Sequence, residues 1–150
     1  MPSQPSGTHP AQLTRFFLTR VQARRSPILD TTAPLVMPPY RVEHSVELES
    51  DTGIVVTYSL FTDDFESMVV ANRNAFYFSI DLTAEFSLGA EMPRDQVSAF
   101  VAAGGLIVIW PYLRQTIADL SQRMGFPPLL LPVLSVPLPI PQPECPAPVQ

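Results

Sequence analysis

The sequence predicts an α+β domain, because strand-like segments come first, helical spacing begins only after them, and proline-rich stretches bracket the whole. At 150 residues the chain has the size of one domain with a single core. Residues 1–12, rich in Pro, Ser and Gln, read as a disordered leader. Residues 137–150 read as a disordered or polyproline tail, with Pro at 137, 139, 141 and 143. The folded domain is expected over residues 13–136.

Four strands are expected. Leu13 to Ser26 mixes apolar and Arg residues without a clean period and is read as an edge strand ended by Pro27. From Tyr40 to Leu48 the even positions Tyr40, Val42, His44, Val46 and Leu48 alternate with polar or charged residues, as in a half-buried strand. Ser50-Asp51-Thr52-Gly53 supplies turn chemistry, and the β-branched and aromatic run Ile54 to Phe61 completes a hairpin. Phe76 to Leu88 carries seven apolar residues at alternate positions, Phe76, Phe78, Ile80, Leu82, Ala84, Phe86 and Leu88.

After Gly89 the period changes. Pro93 suits the first position of a short helix carrying Val97, Phe100 and Val101, which Gly104-Gly105 is expected to end. The principal helix has Leu113, Ile117, Leu120 and Met124 at helical spacing, with Gly125 and Pro127 as stop signals; it either begins at Pro111 or is kinked there. Beyond it, Leu129, Leu130, Leu131, Val133, Leu134 and Val136 form an extended apolar run. Pro132 keeps that run out of a sheet interior.

Composition excludes several functions. The net charge of −5 argues against nucleic acid, which needs a clustered basic face; Arg15, Arg20, Arg24 and Arg25 would be scattered by a strand's pleat. Cys145 is the lone cysteine and forms no intrachain disulfide. The N-terminus lacks a signal-peptide pattern, and the apolar stretch Leu106 to Trp110 is too short to cross a bilayer, so a cytoplasmic protein without membrane insertion is expected. Hydrophobic residues make up 46% and charged residues only 15%, against a usual charged share of about 25%. Such a chain has more apolar surface than one small core consumes, which points to oligomerisation or to binding of apolar partners.

Catalysis finds no support in the sequence. His9 lies in the leader and His44 on a strand. Asp63, Asp64 and Glu66 read as a solvated acidic loop, and neither a nucleophile motif, a phosphate loop nor a metal cluster is visible. No cofactor is expected.

The stretch Trp110-Pro111-Tyr112-Leu113-Arg114, followed by Ile117, Arg123 and Phe126-Pro127-Pro128-Leu129, resembles the SecB chaperone family. The long strand is similar as well, opening with Ala75-Phe76 and closing with Phe86-Ser87-Leu88-Gly89. The resemblance covers about Tyr40 to Val136. It implies a four-stranded antiparallel sheet with one principal helix, assembling as a dimer or tetramer. It also implies an ATP-independent holdase that binds unfolded or extended polypeptides in apolar grooves. The family usually continues into another helix, whereas proline-rich sequence follows Val136 here, so a second helix is not expected. Ser79 stands where classical members carry an acidic residue that docks the export motor SecA, and the first strand is Arg-rich. Divergent members act beside toxin–antitoxin pairs, so preproteins and an antitoxin are both candidate clients.

On this reading the client-contact candidates are Val42, Val46, Leu48, Phe76, Phe78, Leu129, Leu131 and Val136. Trp110, Pro111, Tyr112, Arg114 and Phe126 carry the resemblance and are expected to be structural or assembly residues. Two other readings compete. A hot-dog thioesterase would place its long helix after an early strand, whereas here it follows all the strands. An inert oligomerisation module would leave no open groove.

Overall fold

The computed structural model describes residues 10–25, 39–62, 76–89 and 92–134. Four strands, β1 (Ala11–Arg25), β2 (Tyr40–Glu49), β3 (Gly53–Thr62) and β4 (Phe76–Leu88), form one antiparallel sheet in the order β1-β4-β3-β2. The sheet has β1 and β2 at its edges. β1 begins at Ala11, inside the stretch read as leader. The second proline-rich stretch, together with Asp63, Asp64 and Glu66, lies outside the described residues.

Alternation sets the two faces of the sheet. On β4, Phe76, Phe78, Ile80, Leu82, Ala84 and Phe86 are all buried under the helix, and their β3 neighbours Ile54, Val56, Tyr58 and Leu60 continue the floor. On the outer face three threonines join three strands: Thr57 and Thr83 hydroxyls lie 2.9 Å apart, and Thr19 lies 3.3 Å from Thr83.

The irregular pattern of β1 has a structural reason. Its pairing with β4 skips Thr14 and Thr19, so two bulges each insert one residue and helix-facing positions fall at Ala11, Leu13, Phe16, Leu18, Val21 and Ala23. Each bulge sits in the same tripeptide, Leu-Thr-Arg, at residues 13–15 and again at 18–20. Both threonine hydroxyls donate to β4 carbonyls, Thr14 to Glu85 at 2.9 Å and Thr19 to Asp81 at 3.2 Å. A third bulge, at Glu47, turns Leu48 to the outer face opposite Val55. Leu48 therefore does not share a face with Val42 and Val46, as strict alternation predicted. It lines a shallow outer-face depression of about 260 Å3 with Thr14, Val55 and Glu85.

The helical part also corrects an expectation. Gly104-Gly105 does not end the first helix: α1 (Arg94–Ala99) passes through a π turn (Phe100–Gly104) directly into α2 (Gly105–Arg123). The Tyr58 hydroxyl donates to the Val101 carbonyl at 2.9 Å and occupies the space that a side chain at Gly105 would need. Glycine is required there for close approach rather than for a turn. Burial raises the Tyr58 phenol pKa above its ordinary value, so the hydroxyl stays protonated as a donor. Pro111 accordingly lies inside α2. The uninterrupted stretch Arg94–Arg123 holds an 18-residue window of mean hydropathy 1.6, long and apolar enough by length and composition to cross a bilayer. One row of it, Gly105, Ile109, Leu113, Ile117 and Ser121, is nonetheless buried within the domain.

The end of α2 is firmly closed. Gly125 adopts φ +86°, and the amides of Gly125 and Phe126 return to the carbonyls of Gln122 and Ser121, a Schellman cap. Arg25, last residue of β1, donates from Nη1 to the Met124 carbonyl at 2.6 Å and stacks 4.6 Å from the Phe126 ring centre. The cation complements the negative end of the helix.

Candidate functional site

The helix covers the central strands and leaves both flanks of the inner face open. Inner positions of β3 and β4 are buried, whereas on β1 Phe16, Leu18 and Val21 remain 37%, 44% and 42% exposed. The Tyr112 ring lies 4.1 Å from that of Phe16, so β1 and the exposed side of α2, including Val108, make one continuous apolar strip. On the opposite flank Val42 is half-buried, while His44 and Val46 are exposed.

A second wall comes from residues 126–134. Three side chains of α2 hold this segment by its main chain. Ser121 accepts from the Leu129 amide, Arg114 Nε donates to the Leu131 carbonyl, and Trp110 Nε1 donates to the Pro132 carbonyl, each at 2.8 Å. The segment therefore runs back along the helix, antiparallel to it. Ser121 also donates to the Ala118 carbonyl, so its buried hydroxyl is fully used. The tether points Leu131 wholly into the core, leaves Leu129 and Leu134 half-buried, and exposes Leu130 and Val133 to solvent.

The expected client contacts consequently separate. Val46 is exposed and Val42 and Leu129 are half-buried on the helix side. Leu48 is exposed on the outer face. Phe76, Phe78 and Leu131 are sealed in the interior, which corrects their assignment as client contacts: each is at most 1% exposed and belongs to the core. Val136 lies outside the described residues. Of the residues carrying the resemblance, Trp110 and Arg114 tether the segment within the chain. Phe126 packs against Phe76 with ring centres 6.1 Å apart, and Pro111 and Tyr112 face outward.

Sequence reasoning missed Phe16, Leu18 and Val21, because the bulges concealed which side they occupy. It also missed Ser121, an isolated polar residue in an apolar helical row. That interruption, four residues after Ile117, was the available signal.

The outer face has a different character. Arg15 forms a bidentate pair with Glu85, 2.7 Å from Nε and 2.5 Å from Nη2. The guanidinium, by hydrogen bond and by charge, lowers the Glu85 pKa below the ordinary carboxylate value. Among the described residues no group of three His, Cys, Asp or Glu side chains is placed to hold a metal ion. His44 lies beside the Tyr58 ring, with centroids 6.2 Å apart.

The comparisons agree with this geometry. The family model of the preprotein translocase subunit SecB matches residues 58–135, more than half the chain. The SecB-like chaperone Rv1957 of Mycobacterium tuberculosis is 37% identical over 47 residues, 31% of this chain and 26% of that protein. The protein-export protein SecB of Thiobacillus denitrificans is 45% identical over a match covering 40% of this chain and 51% of that one. The matched part thus spans between a quarter and a half of these relatives' lengths. A solved structure of the Mycobacterium tuberculosis Rv1957 SecB-like chaperone, in complex with a ChAD peptide from the Rv1956 HigA1 antitoxin, superposes with TM-score 0.64 at 24% identity. That superposition covers 85% of this chain and 93% of the other, and it shows the same fold. With the sheet order, the helix laid over it and the tethered segment after the helix all in place, the sequence match settles the matter: the chain belongs to the SecB family.

Proposed function

We propose that this protein is a non-enzymatic, ATP-independent holdase that binds unfolded or extended polypeptides on the apolar surfaces flanking its helix. The observation that carries this reading is the incomplete cover of the inner sheet face, where a single helix over four strands leaves Val42 and Val46 on one side and Phe16, Leu18 and Val21 on the other partly or largely accessible. A patch of this kind on a soluble domain marks an interaction surface.

The two flanks divide the work. The β1 flank, continuous with Tyr112 and Val108, suits packing against a second copy, giving a dimer or tetramer. The β2 flank, walled by residues 129–134, receives the client. Holding a non-native chain removes it from the pool that aggregates. Preproteins and an antitoxin are both within its client range, in keeping with the names of the relatives above. The export motor SecA is a candidate partner as well, in keeping with the family, and Ser79 on the outer face of β4, across from Gln22 of β1, stands at the position of interest for that contact. Action in the cytoplasm follows from this role.

Light scattering of an aggregating, chemically denatured protein tests the reading. Suppression is expected near stoichiometric ratio, without nucleotide. Val46→Ser combined with Leu129→Ser should weaken suppression while oligomer size stays unchanged. No suppression by the unaltered protein would remove the holdase reading, and dissociation of the oligomer by these substitutions would assign the β2 flank to assembly.

A further inference from the structure

We propose that the outer face of β1 is a docking strip for a partner protein, whose acidic segment lies extended along Arg15, Arg20 and Arg24. The strip is on the face turned away from the helix, so its occupant is separate from the client.

The bulges make this strip. Strict alternation would have scattered the arginines over both faces of β1. With Thr14 and Thr19 left out of the pairing, Arg15, Phe17, Arg20, Gln22 and Arg24 all fall on the outer face, opposite Glu85, Thr83, Asp81, Ser79 and Tyr77 of β4, while Arg25 turns to the helix side. All five are exposed. Three of the nine basic residues of a chain whose net charge is −5 thus stand in one file.

Spacing then chooses the occupant. The β4 partners of the three arginines are four residues apart, so the arginines stand roughly 13 Å from one another at about 3.3 Å per residue. A nucleic-acid strand carries one charge per about 3.4 Å and would set most of its phosphates over uncharged or acidic neighbours, Asp81 and Glu85 among them. In an extended polypeptide, carboxylates four residues apart meet the interval. The positions between the arginines suit the same occupant. Phe17 is 44% exposed, with the Arg15 guanidinium 5.9 Å from its ring centre, and calls for an apolar side chain between the first two acids. Gln22 lies between Arg20 and Arg24 and offers its amide to a polar one. Arg20 is the cation most open to a carboxylate. Its Nη2 donates to Gln22 Oε1 at 2.8 Å, and it has no ion-pair partner among the described residues, whereas Arg15 is paired with Glu85. A guanidinium suits the task because its planar fork can take a carboxylate with two hydrogen bonds.

The test uses a labelled peptide of sequence Glu-Ser-Leu-Ser-Glu-Ser-Gln-Ser-Glu, a second of the same composition with its acids adjacent, and a short oligothymidylate. Binding to the full chain is followed by fluorescence anisotropy at low salt. The spaced peptide should bind, and Arg20→Gln should weaken it roughly tenfold through loss of a charge-assisted pair. Asp81→Asn, which removes the carboxylate across from Arg20, should tighten binding. Aggregation suppression by the Arg20→Gln protein should match that of the parent. No binding of the spaced peptide, equal binding of the clustered one, or an affinity unchanged by Arg20→Gln would overturn the proposal. Tighter binding of the oligothymidylate would make the strip a nucleic-acid site, and loss of aggregation suppression together with peptide binding would return the peptide to the client surface; either result also overturns it.

Discussion

Gly105→Ala probes the contact that carries the long helix through its glycine pair. A Cβ at this position would fall on the Tyr58 hydroxyl, with the Tyr58 ring carbon Cζ at 3.3 Å and Phe86 Cζ at 3.4 Å. Both rings are at most 2% exposed, so neither retreats without disturbing packed neighbours. Overfilling such a site costs about 1–3 kcal/mol. Displacing the hydroxyl also removes its 2.9 Å bond to the Val101 carbonyl, a further loss of about 1–3 kcal/mol. Alanine returns roughly 0.5–1 kcal/mol through its better helix propensity. The net expectation is a loss of about 1–5 kcal/mol, with a fall in Tm of roughly 2–4 °C for each kcal/mol in a chain of this size. Thermal and guanidinium unfolding followed by circular dichroism, at one fixed protomer concentration, measures it. Tyr58→Phe removes the clashing atom, so the double variant should be more stable than the sum of the single losses by more than about 0.5 kcal/mol. Additivity within that limit, or a Gly105→Ala variant as stable as the parent, would refute the reasoning.

Three other expectations follow from the same packing. Because burial raises the Tyr58 pKa, the unfolded chain releases this proton first, so stability should decline as pH rises above the ordinary value of 10.0; Tyr58→Phe should flatten that decline, and unchanged alkaline slopes would contradict it. Arg25→Ala removes both the charged donor to Met124 and the stack on Phe126, and should cost about 1–3 kcal/mol in denaturant unfolding; a change below about 0.5 kcal/mol would contradict the capping role. Ser121→Ala leaves the Leu129 amide without its acceptor, so limited proteolysis should cut residues 129–134 faster while the circular dichroism of the sheet and helix persists; equal cutting rates would show that the tether does not depend on this serine.

The legible parts of this fold are those where one periodicity runs undisturbed. β4 could be read residue by residue, since its seven alternating apolar positions meet no bulge. Gly125 and Pro127 correctly marked the end of α2, because a left-handed glycine closing a Schellman cap is a local device. What escaped the sequence depends on partners remote along the chain. β1 looks aperiodic until the two skipped threonines are known, and these are defined only by its pairing with β4. Gly104-Gly105 resembles a break because glycine is usually spent on backbone freedom. Here its purpose is to admit a tyrosine from β3, forty-seven residues before Gly105. The candidate site was half visible. The apolar surplus and the proline-interrupted run after the helix pointed to a binding surface. Only the hydrogen bonds from Trp110, Arg114 and Ser121 decide that Leu131 turns inward while Leu130 and Val133 turn out.

Those three bonds grip carbonyls at 131 and 132, which any amino acid would offer, and an amide at 129, which any but proline would. The wall beside the β2 flank is thereby decoupled from the identity of its outward residues. Substitutions at 130 and 133 can retune what the rim attracts, from greasy to polar or charged, without loosening the strap. On the holdase reading, specificity toward new guests can drift at those two places while the scaffold stays as it is.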